Sequence, residues 1–268
     1  MNELRKLALS IRKNALRMVW RAKASHIGSA LSICDLMAVL YGKVMLIDHG
    51  NPHYEKRDRF ILSKGHACGA VYATLAEVGL ISFADLETYG DDYSSLMNHV
   101  SHKVPGVEFS TGSLGHGLPF SVGKALASKI QKLPWKVYVI LSDGELDEGS
   151  NWEAFMFAAH HKLSNLIAII DYNKLQSLDS VDNTLRLEPL AEKLRAFGCF
   201  VKEIDGHNHD AIYEALINTS SSMPNVILAH TVKGKGVSFM ENKVEWHYKN
   251  PSDDELKKAL IELGEANA

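Results

Sequence analysis

Two segments carry residue types that can do chemistry: Ser142-Asp143-Gly144-Glu145 and Asp171-Tyr172-Asn173-Lys174-Leu175. Each comes after an apolar run, Val137–Leu141 in one case and Leu166–Ile170 in the other. Asp143 and Asn173 stand thirty positions apart, room for strand, turn, helix and strand. In a right-handed parallel crossover both polar clusters emerge at the same sheet edge. Two hard oxygen ligands at neighbouring strand ends suit Mg²⁺, which keeps phosphate oxygens and water in its shell. Gly144 lets the backbone come close to a phosphate. The pattern describes a metal-diphosphate site, and with it a cofactor enzyme. The plainer alternative is two parallel strands whose Asp and Asn cap loops.

Elements to position such a site are legible along the chain. Residues 3–24 have helical periodicity, with Leu4, Leu7, Ile11, Leu16 and Val19 facing inward. Ser32 is placed to cap a second helix through about Tyr41. Arg59–Leu62 reads as a short buried strand, and Gly65-His66 opens a helix through about Glu77. Residues 91–118 are polar, Gly-rich and histidine-bearing, the composition of a long functional loop. A helix covers 119–132, with Pro119 in its first turn. Alternation then becomes regular: strands at 137–141, 166–170, 199–204 and 226–231, and helices at 150–162, 188–196 and 208–219. A last helix spans 252–264, with Ser252 as cap and acidic residues in its first turn, where they suit the helix dipole. The fold class is therefore α/β, a parallel sheet sandwiched by helices in one domain over residues 1–268. Ligands of such sheets bind beyond the carboxyl ends of the strands.

Composition narrows the class. The 268 residues are 46% hydrophobic and 23% charged, with a net charge of −3, so neither nucleic acid nor an anionic membrane is a natural partner. Three cysteines without metal-like spacing point to a reduced, cytoplasmic setting. The N-terminus lacks a signal-peptide apolar block, and no apolar run approaches a membrane span. Gly112-Ser-Leu-Gly115-His-Gly117 has the wrong spacing for a dinucleotide fingerprint, and Gly123-Lys124 lacks the rest of a P-loop. Neither NAD nor ATP is favoured.

Of thirteen histidines, His26, His66, His99 and His247 sit in Gly- or Ser-flanked or loop-like contexts. His116 is ambiguous inside the glycine loop, while His49, His53, His102, His160, His161, His207, His209 and His230 default to surface or structural roles. With the histidines in view the order of motifs resembles transketolase. Ser25-His26-Ile27-Gly28-Ser29, Arg57-Asp-Arg-Phe-Ile-Leu-Ser-Lys-Gly-His66, Pro105-Gly-Val and Thr111-Gly-Ser-Leu-Gly-His-Gly117 are succeeded by Asp143-Gly144, Asn173 and Thr231-Val-Lys-Gly-Lys-Gly236. Ser142 stands where the family's Gly-Asp-Gly motif begins with glycine, Ile27 where proline is common, and Tyr248 where relatives usually have glycine after the histidine.

The resemblance covers the N-terminal, diphosphate-binding portion of transketolase, and implies the thiamine diphosphate-binding fold and that cofactor with Mg²⁺, for which Ca²⁺ or Mn²⁺ can substitute. It implies Asp143, Asn173 and the Leu175 carbonyl as metal ligands. Ser29, His66, Gly112, Ser113, Leu114, Gly144, Glu145, Asn173, Lys233 and His247 become cofactor contacts, and His26, His66, His99 and His247 the catalytic set around the donor sugar. Glu148 and Glu153 match carboxylates near a domain interface, though exposed helix-start residues read the same way. The implied reaction moves a two-carbon glycolaldehyde unit from a ketose, or its phosphate, to an aldose. The implied partner is a separate C-terminal subunit with the pyrimidine-binding half, joined to a homodimer of this chain in an α₂β₂ complex. Other thiamine diphosphate enzymes remain alternatives: a specialised sugar transketolase or a relative of 1-deoxyxylulose-5-phosphate synthase. So does a non-catalytic binding subunit that kept the fold.

Overall fold

The computed structural model describes residues 3–48 and 51–265, so His49 lies outside the described residues. Within them, five strands form the sheet: β1 Arg59–Leu62, β2 Val137–Ser142, β3 Leu166–Tyr172, β4 Phe200–Asp205 and β5 Asn225–His230. All neighbours pair in parallel, in the order β1-β2-β3-β5-β4. The surrounding α-helices are α1 Glu3–Arg21, α2 Ile27–Leu31, α3 Cys34–Val39, α4 Cys68–Glu77, α5 Phe83–Leu86, α6 Gly117–Gln131, α7 Gly149–His160, α8 Val181–Thr184, α9 Leu190–Ala196, α10 His209–Ile217 and α11 Asp253–Glu262. Among the described residues no helix is long and apolar enough to cross a membrane.

β1, β2, β3 and β5 are apolar on both faces because both are covered, while the edge strand β4 is only partly buried and carries Lys202, Glu203 and Asp205. Alternate side chains go to opposite layers. Tyr138, Ile140, Ile167, Ile169 and Ile227 pack with α1, α3, α4, α10 and α11. Val139, Leu141, Ala168, Ile170, Val226 and Leu228 pack with α6, α7 and α9. Pairing of Ser142 with Asp171 brings the ends of β2 and β3 level. Because every strand runs the same way, the segments leaving the strands emerge at one edge: Lys64 after β1, Asp143 after β2, Asn173 after β3 and Lys233 after β5.

The helix expected from Ser32 to Tyr41 is instead two pieces, α3 and a π-turn at Leu40–Val44, and the separate short α2 ends just before Ser32. Ser32 does not cap. Its hydroxyl donates to the Ser29 carbonyl at 3.0 Å and to Asp171 at 2.7 Å, a tertiary bond that ends α2 where it meets the sheet. Ser252 caps α11 as expected, in a capping box with Glu255.

The long segment between α5 and α6 is irregular but pinned. Val100 N–H donates to the Gly65 carbonyl at 3.0 Å, and the Thr111 hydroxyl donates to the Leu62 carbonyl at 2.6 Å. Gly65 permits this closeness, since a Cβ there would lie 2.2 Å from the Thr111 carbonyl oxygen. We expect Gly65→Ala to lower stability by about 1–3 kcal/mol, the usual cost of overpacking. Chemical denaturation reads this as a fall in midpoint, and an unchanged midpoint would contradict the packing described.

Candidate active site

Beyond the carboxyl ends of the strands lies a cavity of about 260 Å³. His26, Ser29, His66, His99, Gly112, Leu114, Asp143, Gly144, Asn173, Leu175, Lys233 and His247 all reach its wall, joined by Lys64, Ser142, Gln176, Ser177 and Tyr248. The residues expected from sequence are thus gathered from separate segments along nearly the whole chain. A wider depression of about 820 Å³ beside Ser82, Asp85, Tyr93 and Pro105 is lined by no histidine or lysine.

Two expected contacts lie elsewhere. Ser113 is exposed and off the wall. Glu145 is fully buried and committed to the fold: its carboxylate accepts from the Ser63 hydroxyl at 2.5 Å, Gly115 N–H at 2.9 Å and Ser142 N–H at 3.3 Å. Glu145 therefore ties the segment after β1, the glycine loop and β2 together, and its side chain, expected among the cofactor contacts, is not part of the cavity wall. Glu148 and Glu153 are both exposed, at the start of α7.

A buried ion pair supports the floor. Lys64 and Asp171 are both fully buried and pair directly. Asp171 also accepts from the Ser32 hydroxyl, Asn173 Nδ2 at 3.0 Å and the Thr231 hydroxyl. Burial opposes its charge, but Lys64 and these donors hold it below the usual carboxylate range. Neither residue was assigned a role from sequence. The available signal was a charged residue directly at the end of a fully buried parallel strand, which must find a partner.

The metal-ligand candidates lie on the same floor. The Asp143 carboxylate accepts Gly144 N–H at 2.8 Å and Lys174 N–H at 2.5 Å. Asn173 Oδ1 accepts Leu175 N–H at 3.0 Å, which fixes the amide. Burial, and then the negative charge of Asp171, push Asp143 up to about 7. Its ionised form therefore calls for one more positive charge nearby. Lys233 is the converse. It is buried, and its ammonium donates only to the carbonyls of Leu175 at 3.2 Å and Gln176 at 2.8 Å and to His247 Nδ1 at 3.2 Å. Burial and the charge of Lys64 lower it to about 8, so its charged form calls for an anion. A buried carboxylate, an amide oxygen and a backbone carbonyl beside a buried ammonium, in one cavity, make a donor set that suits a divalent cation with a diphosphate. Among the described residues no group of three or more His, Cys, Asp or Glu side chains is arranged to hold a metal. The Asp–Asn–carbonyl set leaves the remaining positions to phosphate and water oxygens, as Mg²⁺ prefers.

The four histidines form a cluster. The His26 ring centroid lies 5.2 Å from that of His66, 5.5 Å from that of His99 and 5.1 Å from that of His247. His26 adopts a left-handed backbone, φ 74° and ψ 15°, uncommon for a non-glycine residue. Its N–H donates to the His247 carbonyl at 2.9 Å, so the turn before α2 and the turn after Val244 are locked together. His99 is held by Tyr72, whose hydroxyl donates to the His99 carbonyl at 3.1 Å. His26 Nδ1 is buried and has no hydrogen-bond partner among the described residues.

All four imidazoles are disposed to stay neutral. Burial, then His99 and Lys233, lowers His26 to about 4. Burial, then Lys233 and His26, lowers His247 to about 3. His66 is held well below its ordinary value by burial and Lys64, and His99 is lowered by burial alone. An ammonium has no lone pair, so His247 Nδ1 accepts from Lys233 and its proton sits on Nε2.

Comparison with known proteins shows what the chain resembles. Residues 4–267 match the family described as transketolase, thiamine diphosphate binding domain. The chain is 40% identical over 256 residues to a subunit of the apulose-4-phosphate transketolase of Phocaeicola vulgatus, covering 95% of this chain and 91% of that one. It is 41% identical over 269 residues to the 6-deoxy-6-sulfo-D-fructose transketolase subunit SqwG of a Clostridium species, covering 99% and 98%. Crystalline transketolase from Campylobacter jejuni superposes with a TM-score of 0.93 at 31% identity, and the match covers 98% of this chain but 43% of that structure.

An unfolded chain takes up protons on histidine below about pH 6.5, while the folded cluster refuses them until about pH 4 at His26 and 3 at His247. The cluster therefore leaves stability intact above pH 6.5 and erodes it as pH falls from there toward 3. NMR of ¹³C-histidine-labelled protein at pH 6 should show His26 and His247 neutral. Titration of either near its ordinary value would contradict the burial described.

Proposed function

Because the chain belongs to the transketolase family, we propose that it is the diphosphate-binding subunit of a thiamine diphosphate- and Mg²⁺-dependent transketolase, moving a two-carbon ketol unit from a ketose to an aldose. The observation that carries this reading is geometric: Asp143, Asn173 and Leu175 meet the buried Lys233 in one cavity beyond the strand ends, beside His26, His66, His99 and His247. When bound, thiamine diphosphate supplies the electron sink for cleaving the bond beside a ketose carbonyl. Asp143, Asn173 and the Leu175 carbonyl hold the metal, and Lys233 and Gly144 hold the phosphates. Gly144 has room for that role only as glycine, since a Cβ would lie 2.8 Å from Gln176.

The histidines handle substrate oxygens. A neutral imidazole has one N–H and one lone pair, so it can donate to a developing alkoxide or accept a hydroxyl proton near neutral pH. His247 is set as a donor through Nε2 by its bond to Lys233. His26 and His247 are assigned to the donor sugar's hydroxyl at the scissile bond. Tyr248 lies beside both, its ring centroid 4.8 Å from that of His247. Its bulk at the mouth, together with relatives named for apulose-4-phosphate and 6-deoxy-6-sulfo-D-fructose, favours a specialised sugar or sugar phosphate.

Assembly completes the reading. Two of the relatives above are named as subunits and are matched over more than nine-tenths of their length, which supports a separate partner carrying the pyrimidine-binding half. Exposed Glu148, Glu153, Met156 and Phe157 on and beside α7 supply a face for a second copy of this chain, within an α₂β₂ complex. The three free, buried cysteines accord with work in the cytoplasm.

Calorimetry on the assembled complex tests the cofactor site: Asp143→Ala should abolish metal-dependent thiamine diphosphate binding, and unchanged affinity would refute the assignment. His26→Ala should cut turnover by roughly 10²-fold, the usual scale for a lost proton-transfer group, and change cofactor affinity less. Wild-type turnover would remove His26 from the catalytic set. Purified chain alone should lack ketol transfer and gain it on addition of the partner; robust activity without the partner would contradict the split.

A further inference from the structure

The Lys233 ammonium reaches the cavity from the loop 231–236, and that loop is held from behind. Val232 N–H donates to His207 Nε2 at 2.9 Å. The Lys235 carbonyl accepts from Arg12 Nε at 3.1 Å. These two contacts bracket Lys233, and both lead to one buried carboxylate. Asp35 accepts from His207 Nδ1 at 2.8 Å, from His209 Nε2 at 2.8 Å and from both terminal nitrogens of Arg12. Asp35 stands in α3, Arg12 in α1, and His207 in the turn before α10, so three elements converge on the loop from outside the cavity.

The hydrogen-bond roles are fixed by chemistry. Val232 N–H can only donate, so His207 Nε2 carries a lone pair. The ring proton is then on Nδ1, where it donates to Asp35. The carboxylate thus selects the tautomer that receives Val232, as acidic partners of histidine do. The four histidines of the cavity face one another, whereas His207 and His209 serve this buried carboxylate. Neither Asp35, Arg12, His207 nor His209 lines the cavity.

We propose that His207 is a positioning residue for diphosphate binding: through Val232 it sets where Lys233 delivers its charge. The role rests on the cofactor reading above. It makes no contact with the ligand and acts only through Lys233.

Two substitutions at His207 separate this from general support of the fold. Asparagine can still donate toward Asp35 from the Nδ1 position but places nothing at Nε2. Glutamine places its amide oxygen where Nε2 stood and can still receive Val232. Thiamine diphosphate is titrated with Mg²⁺ by calorimetry into the assembled complex of each variant, alone and with Lys233→Ala, and thermal unfolding and kcat at saturating cofactor are read alongside. His207→Asn should weaken affinity on the order of tenfold, the scale of a lost outer-shell partner, with kcat at saturation retained. His207→Gln should bind close to wild type, and the asparagine effect should vanish once Lys233 is alanine. Wild-type affinity in His207→Asn, equal loss in both variants, or a loss that persists without Lys233 would each overturn the role. If His207→Asn does not assemble, His207→Gln decides: retained affinity supports the role and lost affinity overturns it. Failure of the wild-type complex to bind would overturn the cofactor reading itself, and this role with it.

Discussion

The fully buried pair of Lys64 and Asp171 holds the working edge of the sheet together. Lys64 comes after β1 and Asp171 belongs to β3, with β2 between them. Their attraction spans the strand that delivers Asp143. Asp171 also collects Ser32 from the end of α2, Asn173 beside it and Thr231 from the loop after β5. Lys64 adds the Ser29 carbonyl at 3.0 Å. Four segments of the site are thus referred to one carboxylate. Two charges taken out of water are stable only with such a full set of partners, and loss of one member of a buried pair costs roughly 3–5 kcal/mol. The site's geometry and the domain's integrity therefore share one interaction.

The same pair shapes the electrostatics above it. Asp171 repels charge on Asp143, while Lys64 repels charge on Lys233, His66 and His247. Under the proposed function each repulsion is offset by a bound ion of opposite sign: a cation next to Asp143, an anion next to Lys233. The histidines, held neutral by burial and by the lysines, can then act as hydrogen-bond partners without adding charge. The cluster sits close to Lys233 because His247 is bonded to it. In the proposed function, substrate chemistry and cofactor anchoring are linked through that one contact.

Much of this was legible in the sequence because parallel sheets convert chain order into position. Apolar runs ending in Asp143 and Asn173 marked the strand-end edge where the cavity lies, and the four loop histidines that the transketolase resemblance groups together meet there. Tertiary contacts were the part that escaped. Ser32 reads as a helix cap, but its hydroxyl serves Asp171 across 139 residues of sequence. Glu145 lies in the best motif of the chain, yet its carboxylate joins three backbone segments rather than facing the cavity. His207 and His209 read as surface or structural residues. Their partner Asp35 lies 172 and 174 positions away, which no local pattern reveals. Spacing finds groups that share a strand end; it does not find which of them a buried charge will recruit.

The central claim is that a divalent cation and a diphosphate replace the contacts Lys233 now makes with the carbonyls of Leu175 and Gln176. The most direct measurement is a crystal structure of the assembled complex with thiamine diphosphate and Mn²⁺, located by its anomalous signal. The expected result is an anomalous peak bounded by Asp143, Asn173 and the Leu175 carbonyl, with the Lys233 ammonium moved onto a phosphate oxygen. A peak elsewhere, or Lys233 still seated on those carbonyls with the cofactor bound, would contradict it.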